Sequence, residues 1–325
     1  MRRFAIAFAV VALALPAPAA CQQQRPGAAP TAETDWPRID AERMVDDLRF
    51  LASDELAGRR VGTQGNARAR EYILAAFREI GLEPVGDGYT QEFTFIGRRD
   101  SVEYRGTNVV GMVRGTEHPE RYIVLTAHFD HVGIGRPDEA GDSIYNGADD
   151  NASGTAALLA LARYFREHRP AHSIVFAALD AEEMGLQGAR AFVRTPPIPL
   201  DAVAVNVNMD MVGRNDAGEL YVAGTYHYPF LKPVVERIAE RAPVRLLMGH
   251  DSPDLPPGQD WTSASDHGAF HAAGIPFLYF GVEDHEDYHR PSDEFDGIQP
   301  DFYAAAVRTV LATVVELDRN PPRAR

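Results

Sequence analysis

Five side chains suited to binding divalent metals, His128, Asp150, Glu183, Asp210 and His289, each stand at the edge of an apolar run or in a glycine-rich turn. His128 and Asp130 close the segment that begins at Tyr122. Alternate residues of an extended chain face the same way, so Asp130 is expected to hydrogen-bond the His128 imidazole, the usual support of a metal-bound histidine. The stretch Asn146 to Gly154 carries Asp149 and Asp150 side by side among small residues at a helix start. An N-cap explains one of these acids and leaves the other without a role. Glu182 and Glu183 follow the apolar run Ser173 to Leu179 and precede Gly185, a poor setting for a solvated helix face. Asp210 lies between Met209 and Met211, where a charge is costly unless it is paired or coordinated. His289 precedes a turn marked by Pro291.

The elements that must position these residues follow from hydrophobic periodicity. Helical spacing joins Met44, Leu48 and Leu51, and again Ala69, Ile73, Ala76, Phe77 and Ile80, with Gly81 as a stop. Short strands are expected at 91–96 and 107–113. From Tyr122 onward, continuous Val/Ile/Leu/Ala strands (122–127, 173–179, 202–209, 220–223, 276–280) alternate with helices (154–166, 187–193, 230–241, 302–317). That alternation predicts an α/β fold with a mostly parallel central sheet and helices on both faces. Such sheets place ligands beyond the carboxyl ends of their strands, where the five side chains fall.

The motifs His128-Phe129-Asp130, Gly147 to Gly154, Asp180 to Gly185, Asn208 to Gly213 and Tyr288 to Asp293 resemble, in order and spacing, those of the M28 peptidases, the co-catalytic zinc aminopeptidases. Arg60 to Gly65 and Ser265 to Phe270 extend the likeness over roughly residues 45 to 318. The resemblance implies the zinc-dependent exopeptidase (phosphorylase/hydrolase-like) fold, two Zn²⁺ per chain, and removal of N-terminal residues from peptides with a free N-terminus by zinc-activated water. It implies that Asp150 bridges the ions, His128 and Asp210 complete one ligand set, and Glu183 and His289 complete the other. Glu182 is then the general base, Asp130 supports the ligands from behind, and Tyr288 is a donor to the developing oxyanion.

Other positions carry two readings. Asp266 and His267 either line the substrate pocket or cap a helix. Arg290 stands where family members often carry Thr; it is either a surface salt-bridge partner or a binder of a substrate carboxylate, which would favour dipeptidase or carboxypeptidase activity. His131, His271 and His285 read as bystanders or pocket lining. A glutaminyl-cyclase-like acyltransferase would use one zinc and typically a Trp before the last histidine, where this chain has Tyr288. A non-catalytic binding module on the same fold would have lost ligands, and all five are present.

A formal charge of −15 argues against nucleic-acid binding, which needs a basic footprint. Residues 1–20 read as an export signal: Arg2-Arg3, an apolar run from Phe4 to Leu15 too short to span a membrane, then a small-residue exit. Cys21 is the one cysteine, so no internal disulfide can form. It reads either as an unpaired residue past an ordinary cleavage site or, because Ala19-Ala20-Cys21 resembles a lipobox, as a lipid-modified anchor in the cell envelope. Residues 22–35 read as a flexible tether, and 36–325 as a single catalytic domain with gaps too short for an inserted protease-associated domain.

Overall fold

The computed structural model describes residues 36–256 and 258–321. The expected export signal, Cys21 and tether lie outside the described residues. The strands are β1 (Glu83–Pro84), β2 (Thr90–Ile96), β3 (Glu103–Val113), β4 (His118–His128), β5 (Gly133–Ile134), β6 (Ile144–Tyr145), β7 (His172–Leu179), β8 (Val203–Met209), β9 (Glu219–Ala223), β10 (Arg245–Met248) and β11 (Phe277–Gly281). The α-helices are α1 (Ala41–Leu51), α2 (Gln64–Ile80), α3 (Gly154–Glu167), α4 (Gln187–Arg194), α5 (Lys232–Ala239), α6 (His267–Ala272) and α7 (Pro300–Arg319).

Among the described residues, nine strands form one sheet in the order β1-β3-β7-β4-β8-β11-β9-β10, with β2 paired to β3. Its centre, β7-β4-β8-β11, is parallel throughout. Antiparallel pairing is confined to the flanks, where β1, β2 and β7 pair with β3 and where β9 pairs with β11. The central strands read as unbroken apolar runs because both faces are covered. Ile123, Leu125, Ile174, Phe176, Val205 and Val207 face one way, into a core shared with α1, α2, α3, α5 and α7. Their neighbours Val124, Val175 and Ala177 face the other way, against α4 and α6.

Local chemistry sets the helix ends. The Thr63 side chain accepts the Asn66 N–H at the start of α2, and Gly81, at φ 78°, ends it in the left-handed region that glycine adopts without strain. Gly65 is needed for a close approach instead: a Cβ there would lie 1.8 Å from the Leu56 carbonyl oxygen. No helix among the described residues is long and apolar enough to cross a membrane.

Candidate metal centre

All five predicted side chains converge beyond the carboxyl ends of the parallel strands. His128 is the last residue of β4, Asp210 follows β8, and Glu183 lies four residues after the end of β7. Asp150 sits in the tight turn Ala148–Ser153 leading into α3, and His289 comes from the loop between β11 and α7.

Asp150 has one oxygen in each half of the site. Its Oδ1 lies 3.3 Å from His128 Nε2, which is also 3.3 Å from Asp210 Oδ1. Its Oδ2 lies 3.0 Å from His289 Nε2, which is 3.2 Å from Glu183 Oε1. Donor atoms about 2.0–2.1 Å from a tetrahedral zinc are about 3.3 Å from one another, so both halves have the spacing of ligands around a common ion. Two donor clusters result, His128/Asp150/Asp210 and His131/Asp150/Glu183/His289, sharing Asp150. Asp210 Oδ1 and Glu183 Oε1 are buried without a hydrogen-bond partner, a costly state for carboxylates that coordination relieves. The donor set and its geometry therefore fit divalent metal.

His131 reads in sequence as a bystander or pocket lining; the structure makes it part of the second cluster. It is fully buried, and its Nδ1 comes within 2.8 Å of Glu183 Oε1. Neither atom gains a hydrogen bond from that approach, because the alignment is wrong for one.

The expected contact between the Asp130 carboxylate and His128 is also different. His128 Nδ1 lies 3.1 Å from the Asp130 backbone oxygen and 3.7 Å from its carboxylate. That carboxylate accepts the backbone N–H groups of Glu182 at 2.9 Å and Glu183 at 3.4 Å. Asp130 therefore supports the acid pair as well as the histidine. Asp293 does the same for the bridging residue, accepting the backbone N–H groups of Asp149 and Asp150 at 3.0 Å each. Asp149 is not a ligand: its carboxylate accepts the Gly213 N–H at 2.6 Å and lies 3.2 Å from His285 Nε2. The adjacent acids thus divide into one tie and one ligand.

Beneath the centre lies a residue with no signature in the sequence. Arg59 is fully buried and donates to the backbone oxygens of Phe129 at 2.8 Å, Asn146 at 2.6 Å, Gly147 at 3.0 Å and Leu51. It fastens the His128 turn to the Asp150 turn. Burial lowers its pKa to about 10, against the upward pull of Asp150, Asp130 and Asp293, so it remains a cation at neutral pH. Arginine beside Arg60 reads as surface in sequence; only the fold encloses it.

A cavity of about 390 Å³ opens over the centre, lined by His128, Asp150, Glu182, Glu183, Asp210, Tyr288 and His289 among others. Burial, with Glu183, Asp266 and Asp210 adding to it against His128, holds the Glu182 carboxyl well above the ordinary range. Burial and the nearby acids also raise the Tyr288 phenol, keeping it a donor; its ring stacks on His289 at 4.0 Å.

The remaining predicted pocket residues lie elsewhere. Asp266 and His267 are fully buried and do not line the cavity. Asp266 stands at the N-cap of α6 but its side chain makes no capping bond, and both its oxygens lack partners. Burial and the Asp130 and Asp210 charges push it up to about 8, against the pull of His128. His267 stacks on Tyr279 at 4.4 Å, with its Nε2 2.7 Å from the Trp261 oxygen. Arg290 is exposed and, among the described residues, neither lines the cavity nor forms an ion pair. Its backbone closes the 287–293 turn that delivers His289.

The family model described as Peptidase family M28 matches residues 108–314. The chain belongs to peptidase family M28. Among curated relatives, this M28 member is 32% identical over 189 residues to a probable zinc metalloprotease of Pyrenophora teres f. teres, covering 55% of this chain and 40% of that protein. It is also 32% identical over 225 residues to Aminopeptidase YwaD of Bacillus subtilis, covering 64% of this chain and 44% of that one. The chain thus spans about two fifths of the length of the curated relatives it matches.

Among solved structures, an aminopeptidase from Aneurinibacillus sp. strain AM-1 superposes with a TM-score of 0.67 at 17% identity, covering 85% of this chain and 93% of that one. A Porphyromonas gingivalis glutaminyl cyclase superposes with a TM-score of 0.69 at 19% identity, covering 85% and 98%. These likenesses establish the M28 fold, which peptidases and cyclases share, and leave the reaction to be argued from the site.

Proposed function

We propose that this M28 member is a two-zinc exopeptidase that removes N-terminal residues from peptides with a free N-terminus. The observation that carries the reading is Asp150, which belongs to two donor clusters, each holding a buried carboxylate oxygen without a hydrogen-bond partner, Asp210 Oδ1 in one and Glu183 Oε1 in the other. A single-zinc acyltransferase has no use for the second cluster, and Tyr288 in place of Trp also favours hydrolysis. Bound there, two zinc ions would polarise the scissile carbonyl and make water nucleophilic at neutral pH.

The chain's own residues supply the rest. His128, Asp210, Glu183 and His289 would hold the ions in pairs, with His131 a further donor to the second. Glu182, in the cavity wall, takes a proton from the attacking water and passes it to the leaving amine. Tyr288 donates to the developing oxyanion. Asp210 and Asp284, on the same wall, attract the substrate's α-ammonium group.

The test is metal analysis of purified protein together with hydrolysis of aminoacyl amides. Two zinc ions per chain and chelator-sensitive release of the N-terminal residue are expected. One ion with cyclisation of N-terminal glutamine, or a fully loaded protein without hydrolysis, would overturn the reading. Export and anchoring through Cys21 belong to the same proposal and predict fatty-acid labelling that Cys21→Ser abolishes; labelling of the variant would count against an anchor there.

A further inference from the structure

A second cavity, about 400 Å³ in volume, adjoins the first and shares Glu183, Gly185 and His289 with it. The donor centre therefore lies at the junction of two chambers. The first has Glu182, Asp210 and Asp284 in its wall. The second has Arg60, Arg98 and Arg99. In a chain of net charge −15, three arginines gathered beside a peptidase centre call for a reason.

Their surroundings leave them available. Among the described residues none of the three is in an ion pair: the Arg114, Arg214 and Arg245 guanidinium groups have carboxylate partners within 3.0 Å, and these do not. Asp100 lines the same chamber and feels the Arg60 charge without pairing with it; its carboxylate accepts the Tyr104 hydroxyl at 2.6 Å and the Val102 N–H at 3.1 Å. Of the other two acids of that wall, Asp130 is occupied by the Glu182 and Glu183 backbone and Glu183 belongs to the donor centre. Arg60 packs close against residue 133 because that residue is glycine; a Cβ there would lie 2.7 Å from the Arg60 Cβ. Val61, Val132 and Met184 complete the chamber with apolar surface. The first chamber also has one arginine, Arg190, whose Nε is engaged by the Gly185 oxygen at 3.0 Å.

We propose that the second chamber binds a carboxylate carried by the residue on the leaving side of the scissile bond. This rests on the exopeptidase reading and deepens it. The acid-walled chamber takes the N-terminal ammonium, and the leaving side chain lies against Val61, Val132 and Met184. Its carboxylate meets the guanidinium groups, whose planar donors suit that ion. The carboxylate is either the C-terminus of a dipeptide or the side chain of an acidic residue. Arg60, Arg98 and Arg99 thereby take the part that the sequence offered to Arg290.

The experiment uses hydrolysis-resistant reduced-amide analogues of Leu-Ala, Leu-Ala-amide and Leu-Asp-amide, titrated by calorimetry into the zinc-loaded protein and into its Arg98→Gln/Arg99→Gln variant. Both arginines are exposed, so the variant keeps the fold. Leu-Ala should bind the wild type about tenfold or more tightly than its amide, as charge-assisted hydrogen bonds require. The difference should shrink in the variant and at high salt. Tight binding of the Leu-Asp-amide analogue would assign the chamber to acidic side chains, and tight binding of the Leu-Ala analogue alone would assign it to dipeptide termini. Equal binding of all three by the wild type, or a preference undiminished in the variant, overturns the proposal. Turnover of the ordinary peptides is followed in parallel. Hydrolysis without carboxylate preference would defeat this inference and leave the exopeptidase intact, whereas carboxylate preference without hydrolysis would defeat the exopeptidase and leave the chamber assigned.

Discussion

The Asp130 carboxylate accepts the backbone N–H of Glu182 at 2.9 Å, so a residue at the end of one strand fixes the acid that follows the next. Asp130→Asn replaces one acceptor oxygen with a donor and weakens that hold without adding bulk. We expect zinc content near the wild-type value and turnover reduced about 10- to 100-fold, the usual effect of removing a supporting group at a metal site. Kinetics alongside metal analysis check this, and wild-type turnover in the variant would dismiss the positioning role.

Glu182→Gln is expected to retain both ions, because Glu182 belongs to neither donor cluster. Turnover should fall by about 10²- to 10⁴-fold, the range for loss of a general acid–base group, with little change in KM. Loss of an ion from this variant would instead make Glu182 a ligand.

The two clusters make separable predictions about metal. Substituting Asp210 should weaken one site, substituting His131 the other, and substituting Asp150 both. For His131→Ala the second ion should be lost about ten times more readily on dialysis, while the ion held by His128 and Asp210 stays. An unchanged content of two ions would show that His131 only fills space.

His267 predicts acid sensitivity. Burial lowers its pKa to about 3 from the ordinary 6.5, so the unfolded chain binds its proton first as the pH falls. Its contribution to stability is complete above about pH 6.5 and is lost progressively toward pH 3. His267→Gln keeps a donor for the Trp261 oxygen and removes the titration. Urea midpoints should fall less steeply with acid in the variant than in the wild type; parallel curves would contradict the assignment.

His128 and Asp210 are legible in sequence because each ends an apolar strand, where a parallel sheet gathers such residues, and Asp150, Glu183 and His289 because each is a metal-binding side chain in a turn or loop that follows such a run or precedes a helix. Alternation does not carry past His128, where β4 ends: His131 joins the site and the Asp130 carboxylate accepts the Glu182 backbone N–H. Arg59 was illegible for another reason. Its partners are backbone oxygens at Leu51, Phe129, Asn146 and Gly147, which carry no side-chain signature. The short flanking strands β1 and β10 lack the length for a period to show. Asp266 looked like pocket or cap because its burial behind His128 depends on α6, a helix of 6 residues with little pattern of its own.

Ala181, Met211 and His289 adopt positive φ angles of 59°, 60° and 54°, and each either adjoins a metal-site residue or is one. Side chains branched at Cβ are strongly disfavoured in that region of backbone space. Single-base changes that would bring Val or Thr to position 181, or Val, Ile or Thr to position 211, therefore meet a steric barrier before any effect on chemistry is felt. Mutational drift beside the centre is confined to a few unbranched residues, and the backbone itself conserves the geometry of the ligands it carries.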